Sequence, residues 1–128
     1  MTCPGEDHQL RTLIVEDNAF FRQSFKDRLQ ALFPVLVIRE AATASEALQE
    51  ATAFCPELIF MDIRLPDGNG LELTKRMKAN NPNVAVIILT NYDLPEYRDA
   101  AVQFGAKTYL NKNSFGWEEV ETWVKSIG

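Results

Sequence analysis

Leu58-Ile59-Phe60-Met61-Asp62 is an unbroken apolar run that ends in a carboxylate. It begins after Pro56 and is followed by Pro66-Asp67-Gly68-Asn69-Gly70, a dense turn signal. A run this short and apolar, bounded by proline and turn residues, is typical of a strand buried on both faces of a parallel sheet. Because such strands carry functional groups at their carboxyl ends, we expect Asp62 to lie in a crevice at the edge of a sheet.

Composition indicates one ordinary globular domain. The 128 residues are 46% hydrophobic and 24% charged, and a chain of this length suits a single domain. The net charge of −5 argues against direct nucleic-acid binding, because phosphate backbones require a basic surface. No apolar stretch reaches the about 18 residues of a membrane span, and no signal peptide is recognisable. Cys3 and Cys55 do not suggest a disulfide framework, so we expect a reduced, cytoplasmic protein.

Short apolar runs alternate with segments of helical spacing along the chain. Strands are predicted over 13–15, 35–38, 58–62, 84–89 and 107–110, and helices over 18–32, 43–51, 69–78, 93–104 and 117–127. Thr43 with Glu46, and Asp93 with Glu96, have the spacing of helix-capping boxes. Regular alternation with near-continuous apolar strands predicts an α/β fold, a doubly wound parallel sheet of five strands covered by five helices.

Polar side chains follow four of the five predicted strands. They are Glu16 and Asp17 after the first, Asp62 after the third, Thr90 and Asn91 after the fourth, and Lys112 after the fifth. Each alone has an ordinary explanation, such as a solvated loop end, a local cap or a surface lysine. Because the carboxyl ends of parallel strands meet at one edge, we expect these groups to converge there.

Three converging carboxylates favour a divalent cation, since like charges repel. Oxygen ligands select a hard ion, and a site with few carboxylates suits Mg²⁺. A carboxylate beside such an ion can attack a phosphoryl group and form an aspartyl phosphate. The Lys112 ammonium and the Thr90 hydroxyl are suited to stabilise the phosphoryl oxygens.

Glu16-Asp17, Asp62, Thr90 and Lys112 resemble, in order and spacing, the signature of response-regulator receiver domains of two-component phosphorelays. The segments 61–70 and 105–112 support the resemblance, which covers about residues 10 to 127. It implies the flavodoxin-like strand order 2-1-3-4-5. It also implies a receiver domain over residues 10–128, preceded by a flexible tail over residues 1–9.

The resemblance assigns roles around the phosphorylation site. Asp62 resembles the phosphoacceptor, which takes a phosphoryl group from a sensor histidine kinase or a phosphotransfer protein. Asp17 resembles a direct Mg²⁺ ligand, and Glu16 a residue that acts on the metal through water or by contacting its direct ligands. The backbone carbonyl of Arg64 would supply another oxygen to the metal.

The resemblance also implies a switch. Lys112 would pair with the phosphoryl oxygens, and the Thr90 hydroxyl would move toward them. Tyr109 would then rotate inward into the space vacated. The family usually changes its surface at the fourth helix, fifth strand and fifth helix, here near residues 94 to 127.

Three positions depart from the family pattern. Asn113 stands where proline usually follows the lysine, which leaves the local loop geometry and the cis or trans state of the Lys112–Asn113 bond open. Asn91 is larger than the usual residue after the threonine and could crowd the phosphoryl group. Arg64 and Tyr92 flank the phosphate path, and we expect them to shield the acyl phosphate and slow autodephosphorylation.

The output is predicted from a narrower resemblance. Tyr109-Leu110-x-Lys112 and the missing proline resemble receivers of LuxR-type regulators, which carry a helix-turn-helix domain. This favours transcriptional control through a C-terminal DNA-binding domain absent from the chain, with a stand-alone receiver as the alternative. Trp123 is expected to be partly exposed and is a candidate contact for a phosphorylation-dependent homodimer or for another domain.

Two other functions remain open on the residues. A Mg²⁺-dependent phosphohydrolase with an aspartyl nucleophile usually has a second aspartate two residues on, where this chain has Arg64. A pseudo-receiver acting only by protein binding usually lacks the acidic pair, the acceptor or the lysine. This chain retains all of them, so we expect a phosphoacceptor domain and not an enzyme.

Overall fold

The computed structural model describes residues 9–127, so most of the expected N-terminal tail and Gly128 lie outside the described range. The strands of this range are β1 (Arg11–Val15), β2 (Val37–Ala41), β3 (Leu58–Met61), β4 (Arg64–Leu65), β5 (Gly68–Asn69), β6 (Ala85–Thr90) and β7 (Thr108–Asn111). The helices are α1 (Ala19–Leu32), α2 (Ala44–Ala53), α3 (Gly70–Asn80), α4 (Pro95–Gln103) and α5 (Trp117–Ile127).

The main sheet confirms the predicted fold. Its five strands are all parallel, in the order β2-β1-β3-β6-β7. This is the order 2-1-3-4-5 once the small β4–β5 hairpin is set aside. The central strand β3 pairs with β1 through Phe60 and Ile14, and with β6 through Phe60 and Ile87.

Alternate residues of β3 enter two separate cores, as a doubly wound sheet requires. Ile59 and Met61 belong to the core under α2, α3 and α4, which contribute Ala47, Leu73, Met77 and Ala101. Leu58 and Phe60 belong to the core under α1 and α5, which contribute Phe25, Leu29, Val120 and Val124. All four residues of β3 are buried, so the strand is a rigid base for the carboxylate that follows it.

Strand β2 differs from its prediction because it is an edge strand. It begins at Val37, which pairs with Arg11, whereas the predicted Val35 is exposed. Its polar residues are tolerated because Arg39 and Glu40 form ion pairs with side chains of α2 and α1. The strand predicted from the apolar run at 35–38 therefore begins two residues too early.

Three helices begin with a side-chain cap, and one of the two capping boxes expected from the sequence, that of Thr43, is confirmed. The side chains of Asn18, Thr43 and Asn69 accept backbone N–H groups at the starts of α1, α2 and α3. The expected Asp93 cap is wrong: α4 begins after Leu94 with a proline in its first turn and has no side-chain cap. Asp93 forms an ion pair with Arg98 instead.

The start of α2 has a second acceptor that the sequence did not reveal. The Asp67 carboxylate, in the turn between β4 and β5, accepts the N–H groups of Ala44 at 2.6 Å and Ser45 at 3.0 Å. These two amides lower the pKa of Asp67. The expected reciprocal bond of Glu46 goes to the N–H of Ala42 rather than to the cap residue.

The prediction of reduced cysteines is wrong at Cys55, which is disulfide-bonded. Cys3 lies outside the described residues. Among residues 9–127, none of the helices is both long and apolar enough to cross a membrane.

Candidate functional site

The carboxyl edge of the sheet brings the polar side chains together. Glu16 and Asp17 follow β1, Asp62 follows β3, and Lys112 follows β7, while Thr90 is the last residue of β6. Glu16 and Asp62 are only 3% and 6% exposed, whereas Asp17 is exposed. The site is therefore buried on the side of the sheet and open on the side of Asp17.

Three carboxylates and one ammonium form the centre of the site. Oxygens of Glu16, Asp17 and Asp62 all lie within 4.8 Å of one another. The Nζ atom of Lys112 forms a hydrogen bond with Asp62 Oδ2 at 3.1 Å and an ion pair with Glu16 Oε1. The arrangement leaves two negative charges uncompensated, since three carboxylates face one ammonium.

Backbone amides fix the two buried carboxylates. Glu16 Oε2 accepts the N–H of Asn18 at 2.9 Å, and Asp62 Oδ1 accepts the N–H of Ile63 at 2.8 Å. Each side chain therefore has one oxygen held by the backbone and one that contacts Lys112. These amides therefore hold the two carboxylates in place.

Burial dominates the electrostatics of the site. It raises the pKa of Glu16 to about 7, although the Lys112 ammonium and the Asn18 amide act in the opposite direction. Burial also lowers the pKa of Lys112, but the neighbouring Glu16 and Asp62 outweigh it and raise that pKa. The lysine stays charged, and the carboxylates remain under-compensated.

The donor set fits a divalent cation of the hard class. It offers only carboxylate oxygens, the ligands that Mg²⁺ and Ca²⁺ prefer, and one side is open for water. A divalent ion would cancel the two residual negative charges. Glu16, Asp17 and Asp62 are the residues that could hold it.

Gly70 allows the loop after Asp62 to close. Its N–H donates to the carbonyl of Ile63 at 2.6 Å, which draws the start of α3 against this loop. A Cβ atom on Gly70 would lie 1.9 Å from the carbonyl oxygen of Asp62. The sequence marked this glycine only as a turn residue, because its contact with Asp62 depends on how the hairpin folds back.

The loop of Lys112 is ordered without a proline. The N–H of Lys112 donates to the carbonyl of Thr90 at 2.9 Å, which ties β7 to β6 at the site. The side chain of Asn111 accepts the N–H of Asn113 at 2.8 Å. The described residues contain no cis peptide bond, so the Lys112–Asn113 bond is trans.

Arg64 and Tyr92 contact each other through their side chains. The guanidinium carbon of Arg64 lies 4.0 Å from the centre of the Tyr92 ring, a cation–π contact. The contact joins β4 to the loop after β6. Asn91, beside Tyr92, is exposed.

The two switch candidates are both buried. Thr90 is completely buried, and its hydroxyl accepts the N–H of Tyr92 at 3.4 Å. Tyr109 is 8% exposed, and among residues 9–127 its hydroxyl has no hydrogen-bond partner. Burial raises the pKa of Tyr109 to about 12, and the Arg98 guanidinium lies 4.9 Å from its ring centre. The tyrosine already occupies an inward position in this structure.

Comparison with known proteins gives a single result. Residues 12–122 match the model of the response regulator receiver domain. The chain is 33% identical to the DNA-binding transcriptional activator DevR/DosR of Mycobacterium tuberculosis, over 93% of this chain and 54% of that protein. It is 32% identical to the oxygen regulatory protein NreC of Staphylococcus haemolyticus, over 82% of this chain and 49% of that protein. The chain spans about half the length of the curated relatives it matches.

Solved structures give the same result. The receiver domain protein from Methanospirillum hungatei superimposes with a TM-score of 0.84 at 28% identity, covering 93% of this chain and 94% of that one. A LuxR-family DNA-binding response regulator from Staphylococcus aureus gives a TM-score of 0.81 at 27% identity, covering 93% and 99%.

Proposed function

Because this chain belongs to the response regulator receiver domain family, we propose that it is a phosphorelay switch in which Asp62 accepts the phosphoryl group of a histidine kinase or phosphotransfer protein. One observation carries the proposal. The Asp62 carboxylate lies at the carboxyl edge of the sheet, bonded to Lys112 and within 4.8 Å of two further carboxylates. This combines a nucleophile, a fixed cation and a place for a metal.

The transfer forms one bond and breaks one. An oxygen of Asp62 bonds to phosphorus while the phosphorus–nitrogen bond to the donor histidine breaks, and the histidine nitrogen keeps the electron pair and takes up a proton. Mg²⁺ held by Asp17, Asp62 and Glu16, with the Arg64 carbonyl as a further ligand, would supply positive charge to the phosphoryl oxygens. Lys112, bonded to Asp62 Oδ2, supplies a second positive charge.

The switch follows from the added charge. An acyl phosphate adds up to about two negative charges beside Lys112 and the buried Thr90 hydroxyl. Thr90 is then drawn toward the phosphoryl oxygens, and Tyr109 is held inward in the space that it leaves. These movements bias the surface formed by α4, β7 and α5 between two states.

We extend the proposal to the partners and the setting. The relatives that the chain half covers include a DNA-binding transcriptional activator, which supports a C-terminal DNA-binding domain of the LuxR type as the output. DNA contact would then belong to that domain and not to this acidic one. A cytoplasmic location and a phosphorylation-dependent homodimer that uses the half-buried Trp123 stay predictions. Measuring the size of the protein with and without beryllofluoride tests the homodimer.

Incubation with acetyl phosphate and Mg²⁺ separates this function from its alternatives. A receiver forms a stable, hydroxylamine-sensitive adduct and releases inorganic phosphate only at the slow rate of adduct decay. A phosphohydrolase releases phosphate through many turnovers without a stable adduct. A pseudo-receiver does neither, and either of these last two results would contradict the proposal.

A further inference from the structure

A stack of aromatic rings runs from the site to α5. The Nζ atom of Lys112 lies 4.7 Å from the centre of the Phe21 ring. Phe21 stacks on Phe25 at 5.9 Å and 19°, and Phe25 stacks on Trp117 at 4.9 Å and 29°. Arg28 lies 5.8 Å from the Trp117 ring, so a cation caps each end of the stack.

The middle ring of the stack is fixed by the core. Phe25 is 2% exposed, and it makes edge contacts with Phe60 at 4.9 Å and Phe115 at 6.0 Å. Phe21 lies one helical turn before Phe25 on α1, the spacing at which side chains of a helix meet. The Phe21 ring therefore packs on a neighbour that the core holds in place.

Lys112 needs a contact of this kind. Its ammonium stands on a flexible four-carbon stem and is held by Glu16 and Asp62 through ion pairs and a hydrogen bond. Both partners must adjust when a phosphoryl group and a metal arrive. An aromatic face within about 6 Å attracts the ammonium and excludes water without competing for its protons. The Lys112 side chain is 8% exposed, which fits a cation enclosed between carboxylates and a ring.

We propose that Phe21 is a positioning residue for phosphoryl transfer, whose aromatic face holds the Lys112 ammonium where it meets the phosphoryl oxygens. The inference rests on the proposed function and adds a residue to it. Phe21 acts through Lys112 and touches neither the phosphoryl group nor the metal. Loss of the ring should therefore slow adduct formation by no more than loss of Lys112 itself would.

The test compares two neighbouring phenylalanines. Phe21→Leu removes the ring over Lys112, whereas Phe20→Leu makes the same change at a side chain that is 84% exposed. We expect adduct formation from acetyl phosphate and Mg²⁺ to slow about two- to fivefold in Phe21→Leu, the range of an ordinary cation–π contact. Phe20→Leu should keep the parental rate, and so should Phe21→Tyr, which retains an aromatic face.

Two further readouts separate positioning from general loss of structure. In a Lys112→Ala background, Phe21→Leu should slow the reaction no further, because the group that it positions is gone. The ring-current shifts of the Lys112 ε-methylene protons should shrink in Phe21→Leu and persist in Phe20→Leu. A parental rate in Phe21→Leu, or an equal slowing in the Lys112→Ala background, would overturn the inference and leave the proposed function intact. Absence of any adduct in the wild type would instead overturn the proposed function, and this inference with it.

Discussion

At the scale of a single residue, Gly70 has no room for a side chain, because it lies against the backbone of Asp62. The start of α3 packs directly on the backbone of Asp62, with the Gly70 N–H bonded to the carbonyl of Ile63. Any side chain at this position must displace one of these two backbones, because the contact is with main-chain atoms that no rotamer change can move.

We expect Gly70→Ala to destabilise the protein by about 1–3 kcal/mol, the usual range for overpacking a close contact. The measurement is urea unfolding, with adduct formation as a second readout, since a shifted loop also moves Asp62. Gly116→Ala is the matched control: its Cβ would meet nothing within 4 Å, and its change should stay within about 0.5 kcal/mol. Equal stabilities for the two variants would contradict this view of the loop.

The sequence predicted the site residues that follow strands. It did not predict the residues whose role depends on a contact with another part of the site. The sequence placed Glu16, Asp62 and Lys112 at one edge because parallel topology alone brings strand ends together. The sequence marked Gly70 only as a turn residue, and it placed Phe21 only within a predicted helix. Their neighbours at the site depend on how a hairpin folds and on which rotamer a ring adopts, and neither leaves a periodic signal in the chain.

At the scale of elements, the Arg64–Tyr92 contact connects β4 to the loop after β6. Arg64 lies in β4 and Tyr92 in the loop after β6, and the guanidinium carbon of Arg64 lies 4.0 Å from the centre of the Tyr92 ring. Shielding of the acyl phosphate by this pair stays a prediction.

We expect Arg64→Ala and Tyr92→Ala each to shorten the half-life of the Asp62 adduct, by about two- to fivefold if the cation–π contact alone holds the shield. Decay of the adduct after removal of acetyl phosphate measures this. Arg76→Ala, at an exposed position of α3, is the control and should leave the half-life unchanged. If both test variants keep the parental half-life, the shield does not exist.

The cap of α2 by Asp67 gives a prediction with a defined pH dependence. The folded pKa of Asp67 is lowered by the Ala44 and Ser45 amides. Its contribution to stability is therefore present above the unfolded pKa of about 3.9 and lost as pH falls through the lower, folded pKa. Asp67→Ala should lower the Tm at neutral pH, and the difference from wild type should shrink below pH about 4.

The same series on Asp27→Ala serves as the control, since Asp27 is an exposed aspartate of α1 whose carboxylate accepts a hydrogen bond from Gln23. A Tm difference for Asp67→Ala that is independent of pH, or equal to that of Asp27→Ala, would show that the carboxylate does not cap α2.

Element types were predicted more reliably than element ends. All five helices and the five strands of the main sheet follow from the alternation of periodicities, since length and spacing suffice for them. The start of β2 was misplaced because an edge strand needs little apolar sequence, and Asp93 lost the capping role to a proline start of α4. The β4–β5 hairpin was missed because each strand has only two residues, too few for a pattern.

At the scale of the whole molecule, the site opposes folding. Three carboxylates gather around one ammonium, and burial raises the pKa of Glu16. A cation that binds only the folded state removes this cost and stabilises the entire domain through mass action.

We therefore expect Mg²⁺ to raise the Tm of the wild type, corresponding to about 2.7 kcal/mol at one hundred times the dissociation constant. Asp17→Asn should lose most of this rise, because it removes the exposed carboxylate of the cluster. Asp27→Asn, the same change away from the cluster, should keep it. An equal rise of the Tm with Mg²⁺ in all three proteins would show that the carboxylate cluster does not bind the ion.

The central claim is that Asp62 is the phosphoacceptor, and locating the adduct tests it most directly. The protein is treated with acetyl phosphate and Mg²⁺, the acyl phosphate is trapped chemically, and peptides are sequenced by mass spectrometry. We expect modification at Asp62, no adduct in Asp62→Asn, and an unchanged yield in Asp67→Asn. An adduct on any other carboxylate, or a parental yield in Asp62→Asn, would contradict it.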